Sequence, residues 1–327
     1  MASLMEMTYR EALHKSMVEE MDKNGDVFLM GEDIGRYEGT FKVTRGLFSK
    51  YSHRRVIDTP ITEAGFAGIA TGAAMAGLRP IVEFMTMSFS ILALDQIINH
   101  TAKVHYMTNG EVKCPIVFRG PGGAAKQLSA QHSHSMEGWY AHVPGLKVVC
   151  PATPSDVYGM LKTAVADDNP VILYENPGLY ALKGMVPDDP NYSIPFGKAQ
   201  ILREGKDISL IGYSRMTHIN LAVAELLEKD GIHAEVVDVR SLLPLDTETI
   251  YASVRKTHRA VVVYEDWRSG GFGAEIAARI GEDCFDDLDA PVGRVGGLNV
   301  PMPYSRTLEL QCIPDEKDVI AAVRKLG

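Results

Sequence analysis

The sequence predicts an α/β protein of two domains, each with a mainly parallel sheet flanked by helices. Short apolar strands such as Val27 to Met30, Ile81 to Phe84 and Val171 to Glu175 are separated by helical segments, the rhythm of βαβ units. The length of 327 residues exceeds the usual size of one domain. Between the two halves, Asn176 to Pro195 carries four prolines and no clean periodicity. The alternation then restarts.

The N-terminal stretch MASLMEMTYREALHKSM reads as helix, with Thr8 and Glu11 forming a capping box and Tyr9, Ala12, Leu13, Met17 and Met21 forming one apolar face. Strand Val27 to Met30 runs into the loop GEDIGRYEGTFKVTRG, and a second strand lies near Arg55 to Ile57. A small-residue helix follows, and Arg79-Pro80 ends it and opens the strand Ile81 to Phe84. Ser90 to Met107 predicts one helix with Leu94, Ile97, Ile98 and Val104 inward. Strand Pro115 to Arg119 leads to the most loop-like segment, GPGGAAKQLSAQHSHSMEGW. Leu146 to Val149 is a strand, Thr153-Pro154 starts a helix, and Val171 to Glu175 is a buried strand. In the second half, strands Asp207 to Tyr213, Ala234 to Val239 and Ala260 to Glu265 alternate with helices Met216 to Lys229, Asp246 to Lys256 and Gly273 to about Cys284. Asp315 to Leu326 is a final helix.

Composition narrows the function. With 46% hydrophobic and 23% charged residues the chain is an ordinary globular one, and a net charge of -9 argues against a nucleic-acid or anionic-membrane surface. Cys114, Cys150, Cys284 and Cys312 form no CxxC pair and read as reduced core thiols of an intracellular protein. No apolar run is long enough for a signal peptide or a bilayer span. The expected location is the cytoplasm, or an organelle for a processed chain.

Chemistry concentrates in two places. From Asp58 to Arg79, DTPITEAGFAGIATGAAMAGLR, ten of the fourteen positions between Ala64 and Gly77 are Ala or Gly. Gly65, Gly68 and Gly72 each cost about 1 kcal/mol relative to Ala inside a helix, so something must approach its backbone closely. Glu63 stands at its mouth beside the candidate cap Thr62. Its commoner role there is a first-turn cap, its other a buried functional group. In the loop after Arg119, His132 and His134 are two apart. With only Glu137 as a nearby acidic partner they make a poor metal site. One imidazole in a βα loop is a credible catalytic group, and a structural histidine is as consistent with the spacing. The glycine clusters complete no nucleotide motif: GPGGAAKQ lacks GK[ST], and GGFGAEI has Ile276 where the dinucleotide fingerprint needs a small residue. There is also no GDG segment with a following Asn.

Several segments together resemble one family. GEDIGRYEGTFKVTRGL, DTPITEAGFAGIATGAAMAGLRPIVEFMTMSF, DQIINHTAK, CPIVFRGPGG with AQHSHS, PGLKVVCPATPSD, ADDNPVILYE, DVRSLLPLD and YEDWRSGGFGAEI are similar to the beta subunits of thiamine-diphosphate-dependent 2-oxoacid dehydrogenases, closest to the pyruvate type. The resemblance covers nearly the whole chain. It implies a thiamine-diphosphate-binding fold, with a pyrimidine-binding domain over 1–178, a linker over 179–198 and a transketolase C-terminal-like domain over 199–327. It implies a heterotetramer of two alpha and two beta chains, with thiamine diphosphate shared between them and the alpha subunit holding magnesium through the GDG motif missing here. The substrate implied is pyruvate, with acetyl transfer to the lipoyl groups of an acyltransferase core.

Residue by residue, Glu63 matches the carboxylate that hydrogen-bonds the aminopyrimidine ring. Phe89 matches the aromatic residue stacked on it, and Glu32, Ile61 and Met85 line the same pocket. His132 matches the active-site histidine of the QHS loop. The carbonyls of Ile116, Ala164, Val165, Asp167 and Asn169 match a potassium site of close relatives. The acetoin and branched-chain enzymes are the same-chemistry alternatives, and a non-catalytic α/β scaffold the alternative of a different class.

Overall fold

The computed structural model describes residues 3–124 and 126–327. Met1, Ala2 and Ala125, which the N-terminal helix and the glycine-rich loop readings include, lie outside them. The chain divides into two compact units, Met1–Gly122 with Trp139–Phe196, and Gly123–Gly138 with Gly197–Gly327.

The strands of the first unit are β1 (Leu4–Thr8), β2 (Val27–Gly31), β3 (Val56–Asp58), β4 (Arg79–Glu83), β5 (Val117–Pro121), β6 (Lys147–Val149), β7 (Val171–Glu175) and β8 (Lys183–Pro187). Six of them lie in the order β6-β7-β5-β4-β2-β3, every pair parallel. Being covered on both faces, β2, β5 and β7 are buried throughout. Helices α1 (Tyr9–Lys23), α2 (Leu47–Tyr51), α3 (Glu63–Met75), α4 (Val104–Met107), α5 (Glu137–Ala141) and α6 (Pro154–Ala166) connect them. The Thr8 hydroxyl accepts from the Glu11 N–H at 3.2 Å and the Glu11 carboxylate accepts from the Thr8 N–H at 2.8 Å, so the expected capping box starts α1. Thr153 and Asp156 cap α6 in the same way. Leu13, Met17 and Met21 of α1 and Val157, Leu161 and Val165 of α6 join Leu29, Ile81, Val117 and Leu173 of the sheet in one core.

The second unit carries β9 (Gln200–Arg203), β10 (Ile208–Gly212), β11 (Ala234–Asp238), β12 (Ser241–Leu243), β13 (Ala260–Trp267) and β14 (Gly293–Gly297). Its sheet runs β14-β13-β10-β11-β9, parallel except for the antiparallel edge strand β9. Around it stand α7 (Arg215–Glu228), α8 (Thr247–Thr257), α9 (Phe272–Asp283), α10 (Arg306–Cys312) and α11 (Glu316–Arg324). Leu210, Val236, Val261, Val223 and Val319 form its core. The predicted fold class of two mainly parallel sheets is therefore the observed one.

Three expectations change. Leu4 to Thr8 is a strand, because it pairs antiparallel with β8, which lies inside the proline-bearing segment without clean periodicity. The single helix expected over Ser90 to Met107 is a 3-10 turn, Met87–Ala93, a π turn, Gln96–Thr101, and the short α4. There the Thr101 hydroxyl stands 2.7 Å from the Gln96 carbonyl and 2.7 Å from the Thr71 hydroxyl, and such an inserted hydroxyl widens the helical ladder. Thr62 occupies the N-cap position of α3 without a side-chain capping bond.

All four cysteines are free and buried. Among the described residues no helix is long and apolar enough to cross a membrane.

Candidate active site

Three neighbouring strands end level: Gly31 of β2 is in register with Asp58 of β3 and Glu83 of β4. Chain order reverses at β2, which has β3 on one side and β4 on the other. In open parallel sheets the crevice beyond the carboxyl ends at such a reversal is where ligands bind. Glu32 follows β2, Ile61 and Glu63 follow β3, and Met85 and Phe89 follow β4. Strand register therefore brings these residues of the candidate pocket to one edge of the sheet.

Glu63 opens α3, yet it is only 4% exposed and makes no capping bond. Among the described residues it has neither an ion-pair partner nor a hydrogen-bonding side chain. A solvated surface cap does not look like this. Glu32 is 6% exposed. One of its oxygens accepts the Thr62 N–H, and Oε1 is buried with no partner. Burial first, then the charges of Glu63 and Asp33, push its carboxyl up to about 7, against the Thr62 N–H. Two acids in electrostatic contact thus meet at one place without a cation.

The supports of this pocket are short-range and well packed. The Thr86 hydroxyl donates to the Pro121 carbonyl at 3.1 Å and accepts from the Ser88 N–H at 3.3 Å, fixing the turn that carries the half-buried Met85 and Phe89. The Phe66 ring of α3 lies 5.5 Å from that of Phe84. Ile61, 83% exposed, stands at the open side.

His132 belongs to the second unit. It is exposed, while His134 is half-buried and its imidazole is held below the usual range by burial and then by His132. The Gly123 N–H donates to the His134 carbonyl at 2.8 Å, the Gln127 N–H to Glu309 at 3.0 Å, and the Ala124 N–H to Glu265 at 2.7 Å. Gln127 and Ser129 hold φ of 54° and 68°. That left-handed backbone is costly for residues with side chains and collects at functional sites.

The five candidate potassium carbonyls sit near the end of α6 and the start of β5. Val171 N–H donates to Ile116 O at 2.9 Å, and Arg79 Nη1 lies 2.8 Å from Val165 O and 3.1 Å from Asp167 O. A resident guanidinium thus already serves two of them. Among the described residues no cluster of His, Cys, Asp or Glu could hold a metal ion.

Two features escape sequence reading. Arg119 of β5, 1% exposed, pairs with Glu83 of β4 and with Glu175 of β7, whose Oε2 it meets at 2.6 Å, and the Tyr180 hydroxyl donates to Glu175. Glu137 enters the sequence reading only as a neighbour of the histidines, yet it is 3% exposed. The one signal for either is a charged residue in an otherwise small or apolar run.

Residues 5–183 match the transketolase pyrimidine-binding domain and residues 197–319 the transketolase C-terminal domain. A solved structure described as a split-gene transketolase, an inactive beta4 tetramer, superposes with a TM-score of 0.79 at 26% identity over 98% of both chains. Fold and domain matches together define a chain of the transketolase class, within the thiamine-diphosphate-dependent enzymes. The chain is also 51% identical to the mitochondrial pyruvate dehydrogenase E1 component subunit beta of Drosophila melanogaster over 325 residues, covering 98% of this chain and 89% of that one. It is 51% identical to the corresponding subunit of Rickettsia felis over 322 residues, 98% of each. It belongs to the pyruvate dehydrogenase E1 beta-subunit family, as the motifs above led one to expect.

Proposed function

We propose that this chain is the beta half of a pyruvate dehydrogenase. With an alpha subunit, in a heterotetramer of two alpha and two beta chains, it decarboxylates pyruvate and delivers the acetyl group to lipoyl groups of an acyltransferase core. The observation that carries the reading is Glu63: a buried carboxylate without a cation, at the carboxyl edge of the sheet, beside a second acid raised to about 7.

These residues fit an aminopyrimidine. An unpartnered buried oxygen on Glu32 and an unpaired Glu63 offer acceptors to a ring that presents both donor and acceptor nitrogens. Thiamine diphosphate, when bound, supplies the carbon nucleophile and the electron sink that decarboxylation of a 2-oxoacid needs. Glu63 holds a proton at the pyrimidine ring nitrogen, and desolvation strengthens that bond. Phe89 would stack on the ring, Met85 and Ile61 would wall it, and Glu32 would stand beside Glu63 as the second acid of the pocket. His132, matched by the resemblance to the active-site histidine, would stabilise negative charge that develops on the substrate. Magnesium and the diphosphate fall to the alpha subunit, since this sequence has no GDG segment.

The domain limits we assign are 1–178 for the pyrimidine-binding domain, 179–198 for the linker and 199–327 for the C-terminal domain. Potassium on the carbonyls of Ile116, Ala164, Val165, Asp167 and Asn169 belongs to the same proposal, using the lone pairs that Arg79 leaves open. The location proposed is the cytoplasm of a bacterium or an organelle matrix.

Reconstitution tests this reading. The chain alone is expected to bind thiamine diphosphate weakly and to leave pyruvate untouched, and adding the alpha subunit is expected to restore both. Glu63→Gln should assemble normally and lose activity by about 10²-fold or more. Robust decarboxylation by the isolated chain, or near-normal turnover of Glu63→Gln, would overturn it.

A further inference from the structure

The segment that carries His132 and His134 is fastened to the end of β13 at three consecutive residues. The Ala124 N–H donates to Glu265 Oε1 at 2.7 Å, the backbone at Gly138, next to Glu137, comes up against Asp266, and the His134 ring lies 6.0 Å from that of Trp267. The middle approach brings two buried acids within range of each other's charge. Glu137 and Asp266 are each 3% exposed, and among the described residues neither has an ion-pair partner. Arg215, on α7, approaches Glu265 instead, at 3.9 Å.

Each of the two acids is given two donors, yet one oxygen of Glu137 is left without any. The Tyr213 hydroxyl donates to Glu137 Oε1 at 3.2 Å and the Glu137 carboxyl also accepts its own backbone N–H, while Oε2 is buried with no partner. Asp266 accepts the N–H groups of Trp267, at 2.7 Å, and of Phe272 at the start of α9. A Cβ on Gly138 would stand 3.1 Å from Asp266 Oδ2, so the backbone just after Glu137 comes up against that carboxylate. Glu137 thus has one buried oxygen left over. Two adjacent buried carboxylates cannot both stay charged.

We propose that Glu137 is a positioning residue: it keeps its proton on Oε2, shares it with Asp266, and this closed acid pair holds the His132 segment against β13. The pair then carries one negative charge and one proton. Other charged and titratable groups facing it agree. Glu265 of β13 adds negative charge, Tyr213 at the end of β10 and Phe272 of α9 offer only neutral donors, and His134 is held toward its neutral form by burial. Burial, then Asp266, drives Glu137 well above the usual carboxyl range, and burial, with Glu265 adding, pushes Asp266 up to about 7 against its two N–H donors. A proton that exposed carboxyls lose well below neutrality is thus retained in the fold. Its stabilisation is full at acid pH and is lost as pH rises through about 7 and beyond.

Only the kinetic arm of the test rests on the reading of His132 as an active-site group. First, the full-length chain is melted across pH values from about 5.5 to about 9. In Glu137→Gln the amide N–H replaces the acid proton as donor to Asp266, so the wild-type midpoint should fall more steeply with pH than the variant's, by the linkage of about one proton. Second, in the enzyme reconstituted with its alpha subunit, Glu137→Ala should lower kcat by about 10²-fold with KM for pyruvate unchanged. Glu137→Gln should recover most of that loss. Parallel melting slopes for wild type and Glu137→Gln overturn the shared proton, and a Gln variant as slow as the Ala variant overturns the positioning role. If the wild-type enzyme does not turn over pyruvate, the proposed function fails while the melting arm still decides the acid pair.

Discussion

Gly31 and Glu83 are level across β2 and β4, and a Cβ added to Gly31 would stand 2.4 Å from the Glu83 carbonyl oxygen. No side chain fits there without moving a backbone. The closeness matters because Gly31 immediately precedes Glu32, while Glu83 is itself gripped by Arg119. Gly31→Ala is therefore expected to force β2 from β4, costing about 1–3 kcal/mol, and to displace Glu32 from the pocket. Denaturant unfolding reads the first effect and thiamine diphosphate affinity of the reconstituted enzyme the second. An unchanged unfolding midpoint would mean that the sheet yields at no cost.

Glu32 should give the pocket a pH dependence of its own. Its carboxyl is raised to about 7 in the folded chain and returns to the ordinary range on unfolding. The folded state therefore holds the proton more tightly, so stability is full at acid pH and declines as pH rises from about 4.5 through about 7. Glu32→Gln removes the titration. Above neutral pH it should be more stable than wild type by about 1–3 kcal/mol, and near pH 4 the two should converge. Thermal melts at the two ends of that range check the sign, and a difference that grows toward acid would contradict it.

The strands with buried Val, Ile and Leu runs, and the capping boxes at Thr8 and Thr153, were legible because their causes are local. Segment 87–107 was not, since what breaks its helix is a contact between Thr101 and Thr71 that no window of sequence contains. The pairing of Leu4 with Pro187 is non-local in the same way. At the site, residue types and motif pointed to Glu63, yet cap and buried acid differ only in tertiary surroundings, which strand register decides. Neither the Arg79 guanidinium on the Val165 and Asp167 carbonyls nor the facing of Glu137 by Asp266 leaves a trace in spacing.

Arg119 is the residue whose loss should damage the first unit most. It lies at the centre of the sheet between Glu83 and Glu175, and its removal leaves two buried carboxylates and the Tyr180 hydroxyl around an empty position. Arg119→Met is expected to cost about 3–5 kcal/mol. Adding Glu83→Gln and Glu175→Gln to it should return part of that loss, because the orphaned charges are then gone. Equilibrium unfolding of the single and triple variants decides the matter, and a triple variant weaker than the single would show that packing rather than charge dominates.

The three glycines of α3, alike in sequence, differ in what surrounds them. A Cβ on Gly65 would meet Thr62 Oγ1 at 2.7 Å and one on Gly68 would meet Gln96 Oε1 at 3.0 Å, whereas nothing lies within 4 Å of one on Gly72. On the same helix Ile69 is 64% and Met75 45% exposed. Close approach within the chain thus accounts for Gly65 and Gly68 and leaves Gly72 unexplained by this chain alone. Gly72→Ala should raise the stability of the isolated chain by about 0.5–1 kcal/mol through helix propensity, and Gly68→Ala should gain less because the Gln96 amide must give way. The proposed alpha subunit supplies a reason for the third glycine. Gly72→Leu should leave the isolated chain folded while weakening its assembly with that subunit, as sedimentation of the mixed chains would show. Undiminished assembly of Gly72→Leu would mean that this face of α3 stays open to solvent and that Gly72 has no packing role.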